Sequence, residues 1–245
     1  MPPPPTLLVL PVLAACLLYA TPARARPSAD IPTVEVKATQ ARLLPYRELF
    51  YPLAKAVQQR LAGRAVLAMQ LRPVRAGVRT DDLRLWLEGG GEALPLPPGE
   101  HGLFIVPVAE RIAAHDGSFA INKHPADLRA NLVLVPTLAP DAWTMGEVRR
   151  LLQDVHATIA PLMPWHHRLL MWAAARRLGV AVCSLSPSAQ VAVTDGGQVL
   201  ARYPTSEPLR NHANAPVYCH RFSGHEDFDA GARLVLPDDA QVLLI

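Results

Sequence analysis

Leu83-Arg84-Leu85-Trp86-Leu87-Glu88-Gly89-Gly90-Gly91 is the stretch that decides the fold class. Leucine at every second position puts one apolar row on one side of an extended chain, and the glycine triplet supplies the turn that follows. A helix would instead need apolar residues three and four apart. Outward from this stretch, residues 65–71 form an apolar run, and Leu94-Pro95-Leu96-Pro97-Pro98-Gly99 is extended. Apolar segments recur at 103–106, 118–121 and 132–135. Short strands at roughly ten-residue spacing, with Gly and Pro between them, predict a sandwich or curled antiparallel sheet over residues 64–137.

A second β-rich block is expected over residues 178–245. Val180-Ala181-Val182-Cys183 reads as a strand, and 190–194 with 198–202 read as a hairpin around Asp195-Gly196-Gly197. Further strands are expected at 217–221, 232–236 and 241–245. Between the two blocks, residues 141–177 read as a helical hairpin. Thr144 and Glu147 have capping-box spacing, and Met145, Val148, Leu151, Leu152, Val155, Ile159 and Leu162 mark an apolar stripe. Pro161 and Pro164 separate this helix from a second one at 165–177, which Arg176-Arg177 and Gly179 would close. Ahead of the first block, Val34-Glu35-Val36-Lys37 alternates like a short strand. Residues 46–62 read as a helix on the stripe Leu49, Leu53, Val57 and Leu61, with Pro52 marking a kink or a start and Gly63 an end. The fold class is therefore α+β: antiparallel, sandwich-like sheets with a helical hairpin packed on one side.

The N-terminus sets the compartment. Residues 7–20 are an apolar run of 14 residues, shorter than the roughly 20 a membrane-crossing helix needs and typical of a signal-peptide core. Ala23-Arg24-Ala25 supplies an A-x-A cleavage pattern, so residues 1–25 are expected to be a signal peptide cut after Ala25. Leu13-Ala14-Ala15-Cys16 resembles a lipobox, which would instead lipidate Cys16 and tether the protein to a membrane. Against that, the apolar run continues past Cys16, and no Lys or Arg precedes it. A periplasmic location is expected, with a membrane lipoprotein or a secreted protein as the alternatives.

Composition narrows the function classes. Half of the 245 residues are apolar and 18% are charged, so the region 26–245 can bury a core and form one domain. The net charge of +3 and the scattered basic residues give no electrostatic case for nucleic acid. Of three cysteines, Cys16 belongs to the N-terminal segment. Cys183 and Cys219 remain, an even pair expected to form a disulfide in an oxidising compartment.

No strong catalytic signature is present. G-x-S-x-G, His-Glu-x-x-His and the phosphate-binding glycine patterns are all absent. Ser184, Ser186 and Ser188 follow a predicted strand, but another strand comes after them rather than a helix. Asp81-Asp82 and Asp238-Asp239 read as turn residues. His220, His225, Glu226, Asp227 and Asp229 crowd behind Cys219. This makes His220, His225 and Asp227 weak metal-ligand candidates, since structural zinc sites favour a second ligand pair elsewhere. His166-His167 are adjacent on a helix and diverge by roughly 100°. Trp86, Trp143, Trp165 and Trp172 are candidates for lining a glycan groove, with core packing the simpler role for the last two. No cofactor is implied.

Residues 82–108 resemble, in their L-x-L, L-P-L and G-x-F-x-V-P texture, small β-sandwich modules attached to carboxypeptidases and envelope proteins. Over the whole chain, Asp82-Leu83-Arg84-Leu85-Trp86-Leu87, Asn131-Leu132-Val133-Leu134, Trp143-Thr144-Met145-Gly146 and Arg233-Leu234-Val235-Leu236-Pro237 resemble exported proteins of high-GC proteobacteria that carry no assigned activity. The resemblance implies export and little else. The expected function is an envelope-associated interaction or structural module whose partner is an envelope protein or a glycan. The competing expectation is an envelope hydrolase or metal-dependent enzyme using the His, Asp and Glu residues of the 219–229 loop.

Overall fold

The computed structural model describes residues 41–162 and 178–245, which fall within one unit spanning Lys37–Ile245. Cys16, Ala25 and the strand expected at 34–37 lie outside the described residues. So does the second helix of the expected hairpin, with Trp165, His166, His167 and Trp172.

Strand β1 (Ala41–Pro45) runs into a π-helical turn, Tyr46–Phe50, that continues as α1 (Tyr51–Arg60). Pro52 occupies the first turn of α1, where its missing N–H costs nothing. The buried stripe is Tyr46, Phe50, Ala54, Val57 and Leu61, whereas Leu49 is half exposed at 51%. This corrects the expected stripe at Leu49 alone: Leu53 packs half-buried against the core, and Val57 and Leu61 are buried as expected. The wider π turn shifts the helical phase, and two aromatic rings take the core position, both edge-on to Phe119 at 5.6 and 4.9 Å.

The strands of the first block follow as β2 (Ala65–Pro73), β3 (Leu85–Gly89), β4 (Glu92–Leu96) and β5 (Leu103–Ile105). After a short helix, α2 (Glu110–Ala114), come β6 (Ser118–Ile121) and β7 (Leu128–Pro136). The opening alternation behaves as expected: Leu83, Leu85 and Leu87 are buried and Trp86 is half-buried. Gly90 and Gly91 turn the β3–β4 hairpin at φ of 60° and 80°, angles that favour glycine. Helix α3 (Met145–Ile159) then buries Met145, Val148, Leu151 and Val155. Its first turn is half a capping box: Thr144 accepts from the Glu147 amide at 3.1 Å, while the Glu147 carboxylate pairs with Arg150. Leu162, placed on the apolar stripe by its spacing, is exposed because the helix has ended by Ile159.

The second block holds β8 (Val180–Ser184), β9 (Gln190–Asp195), β10 (Gln198–Pro204), β11 (Glu207–Arg210), β12 (Pro216–Phe222), β13 (Arg233–Val235) and β14 (Gln241–Leu244). The described strands pair antiparallel throughout, in three sheets: β1-β6-β3-β4, β10-β9-β13, and a seven-stranded sheet in the order β11-β12-β8-β14-β7-β2-β5. The last sheet joins the two sequence blocks, with β14 inserted between β8 and β7.

Alternation divides the faces of this large sheet. Leu67, Met69, Leu71, Val180, Val182 and Phe222 enter the main core with Leu85, Leu87 and Phe119 of the four-stranded sheet and Val191, Val193 and Leu234 of the three-stranded one. The opposite face carries two smaller buried clusters, Ala68 with Leu103, Val133 and Leu243, and Ala181 with Cys183, Val217 and Cys219. The protein is thus α+β, β-rich and sandwich-like. Among the described residues, no helix is long and apolar enough to cross a membrane.

Candidate functional site

The cysteine pair comes together as expected. Cys183 on β8 and Cys219 on β12 are register partners with Cα atoms 4.0 Å apart, joined by a disulfide across 36 residues of chain. Closing a loop of that length stabilises the fold by roughly 3–4 kcal/mol in the chain-entropy account.

The histidine-rich loop behind Cys219 is not brought together as a ligand set. On β12, Cys219 and His220 point to opposite faces, and Cys219 is already bonded. The His220 ring stacks on Tyr203 at 4.5 Å and meets Phe222 edge-on at 4.7 Å. Burial there pushes its pKa below the ordinary value, against a smaller opposing pull from Glu226 and Glu207. His225, Asp227 and Asp229 are exposed. Glu226 folds back to accept from the amides of Ser223 and Gly224 at 2.7 and 2.9 Å and from the Ser223 hydroxyl at 3.0 Å. Arg149 of α3 donates to the carbonyls of Gly224, Glu226 and Phe228 at 3.2, 2.7 and 2.7 Å. Among the described residues, no group of three His, Cys, Asp or Glu side chains could hold a metal ion. The metal candidates His220, His225 and Asp227 are corrected accordingly: their closeness in sequence reflects a loop tied to a helix by a guanidinium.

Other candidates also resolve into structure. Asp81 pairs with Arg79, which holds its pKa down at about 2, and Asp82 pairs with Lys123 at 2.7 Å. Trp143 is buried at the start of α3 and belongs to the main core.

A different site forms at one end of the seven-stranded sheet. There the C-terminal ends of β8 and β7 meet the N-terminal ends of β14, β12 and β2. Two adjoining lobes open at this end, with volumes of about 400 and about 460 Å³. The first has the more polar lining of the two, with Ser184, His212, Asp238 and Asp239 beside Cys183, Leu185 and Val217. The second is apolar, lined by Leu103, Ile105, Val135 and Trp143. Glu100, His101, Ala240 and Gln241 line both and form the seam between them.

The seam is built with unusual backbone. His101 has φ 56°, in the left-handed region that non-glycine residues seldom occupy. Gly102 follows at φ 66°, and a Cβ there would collide with the His212 ring. Glycine is therefore required on two counts, and the His212 ring is seated against bare backbone. At the polar lobe, Asp239 accepts the Ser184 hydroxyl at 2.8 Å and the Leu185 amide at 2.9 Å. These bonds, the Leu185 amide foremost, hold the Asp239 carboxyl below its ordinary pKa. The Ser184 oxygen in turn accepts the Ser186 amide at 3.0 Å. Among the described residues, the Ser184 hydroxyl is hydrogen-bonded to Asp239 and the Ser186 amide and to no imidazole.

Two residues that line the groove each carry a buried polar atom with no hydrogen-bond partner among the described residues, His212 Nδ1 and Gln241 Nε2. Gln241 is 8% exposed. A buried amide N–H left unpaired costs about 1–3 kcal/mol.

None of the seam residues stood out as candidates in the sequence. Glu100 and His101 follow β4, His212 lies in the β11–β12 turn, and Gln241 begins β14. Only the order of strands in the sheet brings them together. The one local signal was Gly99-Glu100-His101-Gly102, a polar pair between glycines. Comparison with known proteins finds no family model, no curated protein and no solved structure that matches the chain.

Proposed function

We propose that this protein is an exported, envelope-associated binding module whose ligand, part of an envelope protein or glycan, occupies the groove at the end of the seven-stranded sheet. The observation that carries this reading is the Gln241 amide, buried and unpaired where the polar and apolar lobes meet. Recognition sites commonly join apolar walls to a few fixed polar groups. Binding is favoured over catalysis because the Ser184 hydroxyl is committed to Asp239 and the loop of residues 219–229 is tied off by Arg149. Export rests on the short apolar N-terminal run and on a disulfide of the kind that persists in oxidising compartments. The resemblance to exported proteobacterial proteins points the same way.

A protein-observed NMR screen of envelope-type fragments (peptides, amines and sugars) against the isotope-labelled full chain tests the proposal. Bound fragments are expected to shift the Gln241 side-chain amide and to be recovered unchanged. Turnover of a bound fragment would replace this reading with an enzymatic one, and a screen in which nothing moves Gln241 would end it. Export has its own check: an N-terminal fusion of residues 1–40 to a reporter active only outside the cytoplasm should be active.

A further inference from the structure

Resting on the groove as a binding site, we propose that its ligand carries an aliphatic ammonium group, seated among Glu100, Asp238 and Asp239, with a carbonyl oxygen accepting from Gln241. The rim of the first lobe holds these three carboxylates, and neither lobe has a Lys or Arg among its described lining residues. That imbalance stands out in a protein of net charge +3. The basic side chain beside the β11–β12 turn, Arg210, points elsewhere, donating to the Asn214 carbonyl at 2.9 Å. Asp239 keeps its charge oriented because the Ser184 hydroxyl and the Leu185 amide already fix it. Glu100 and Asp238 are exposed and free to close on a cation.

The second, independent requirement comes from below the rim. Gln241 Nε2 is an N–H donor, more than nine-tenths buried, that neither a cation nor a hydrocarbon can satisfy. The ligand must therefore offer a hydrogen-bond acceptor in addition to its positive end. The apolar lobe beyond Gln241, walled by Leu103, Ile105 and Trp143, takes the uncharged remainder of the ligand on the far side of its carbonyl. A lysine side chain in a peptide and a free alkyl diamine both carry the ammonium on an aliphatic stem, and only the lysine peptide also brings the carbonyl.

The test is calorimetric titration of the full chain at low ionic strength with three probes. These are Nα-acetyl-lysine methylamide, its uncharged norleucine counterpart, and cadaverine. The lysine amide is expected to bind at least about tenfold more tightly than the norleucine amide. Glu100→Gln combined with Asp238→Asn, both exposed positions, should remove that advantage and bring the two amides to equal affinity. If Gln241→Leu weakens the lysine amide but not cadaverine, the ligand is a peptide. If cadaverine binds as tightly as the lysine amide and ignores Gln241→Leu, the ammonium requirement stands, the ligand is a free amine, and the carbonyl clause fails. Equal affinity for the lysine and norleucine amides overturns the inference, as does cation binding that survives the double substitution, or no binding of either cation. In each case the groove remains a binding site if an uncharged fragment still shifts the Gln241 amide, which separates this failure from failure of the underlying proposal.

Discussion

Two polar clusters in this protein have opposite histories. The loop after Cys219 gathers His220, His225, Glu226, Asp227 and Asp229 within a short stretch of chain, yet its described polar groups are answered from inside: Arg149 takes three carbonyls and Glu226 takes two amides. The sheet-end groove draws Glu100, His212, Asp239 and Gln241 from distant parts of the chain and leaves a buried amide without a partner. Density of ionisable residues in sequence thus measures little by itself. What separates a tied loop from a receptive site is whether hydrogen-bonding capacity is left over once the fold is complete.

The sharpest way to break this contrast is Arg149→Ala. It strips a charged donor from three carbonyls at once, and a loss of about 3 kcal/mol is expected, since hydrogen bonds to charged groups each contribute about 1.5–3 kcal/mol and do not add fully. Urea denaturation measures it. A loss well below 1 kcal/mol would show that the loop holds itself and that its acidic residues need another explanation. Gln241→Leu should act in the opposite direction, because it removes an unpaired buried donor. A gain of about 1 kcal/mol is expected in the same assay. Destabilisation instead would mean that the amide is satisfied within the fold.

The smallest effect concerns His220. Its pKa is lowered in the folded protein, chiefly by burial beside Tyr203 and Phe222. The neutral ring is therefore the form that the fold favours, and its contribution is complete above the unfolded-state value near 6.5. That contribution declines as pH falls through 6.5 towards the lower folded value. Denaturation midpoints for the native chain should fall more between pH 7.5 and 5.5 than those of His220→Phe, which keeps the ring contact and cannot take up a proton. Equal slopes would place His220 in a more solvated setting than its stacking implies.

Local chemistry carried much of the architecture into the sequence. The Leu83–Leu85–Leu87 alternation, the two glycine-containing hairpin turns and the Thr144 cap each act within a few residues, so each can be read without knowing the fold. The misses had non-local causes. Strand β11 contains Pro208 and alternates only weakly, and it exists because β12 offers it a partner. The stripe missed only at Leu49, because the π-helical turn ahead of α1 brings Tyr46 and Phe50 into the core in its place. The cysteine pair was legible from compartment and parity alone, but that Cys183 also borders a cavity was not. The groove itself was invisible because its members share no periodicity.

The position of β14 has a consequence for timing. β14 follows every other strand of its sheet in chain order, yet it lies in the middle, between β8 of the later block and β7 of the earlier one. The two blocks can each form hairpins as they emerge, but the large sheet stays in two pieces until residues 241–244 arrive. A chain threaded across a membrane N-terminus first would keep an open seam for the whole passage, and the groove, which has Gln241 at its centre, would take shape in the final step of folding.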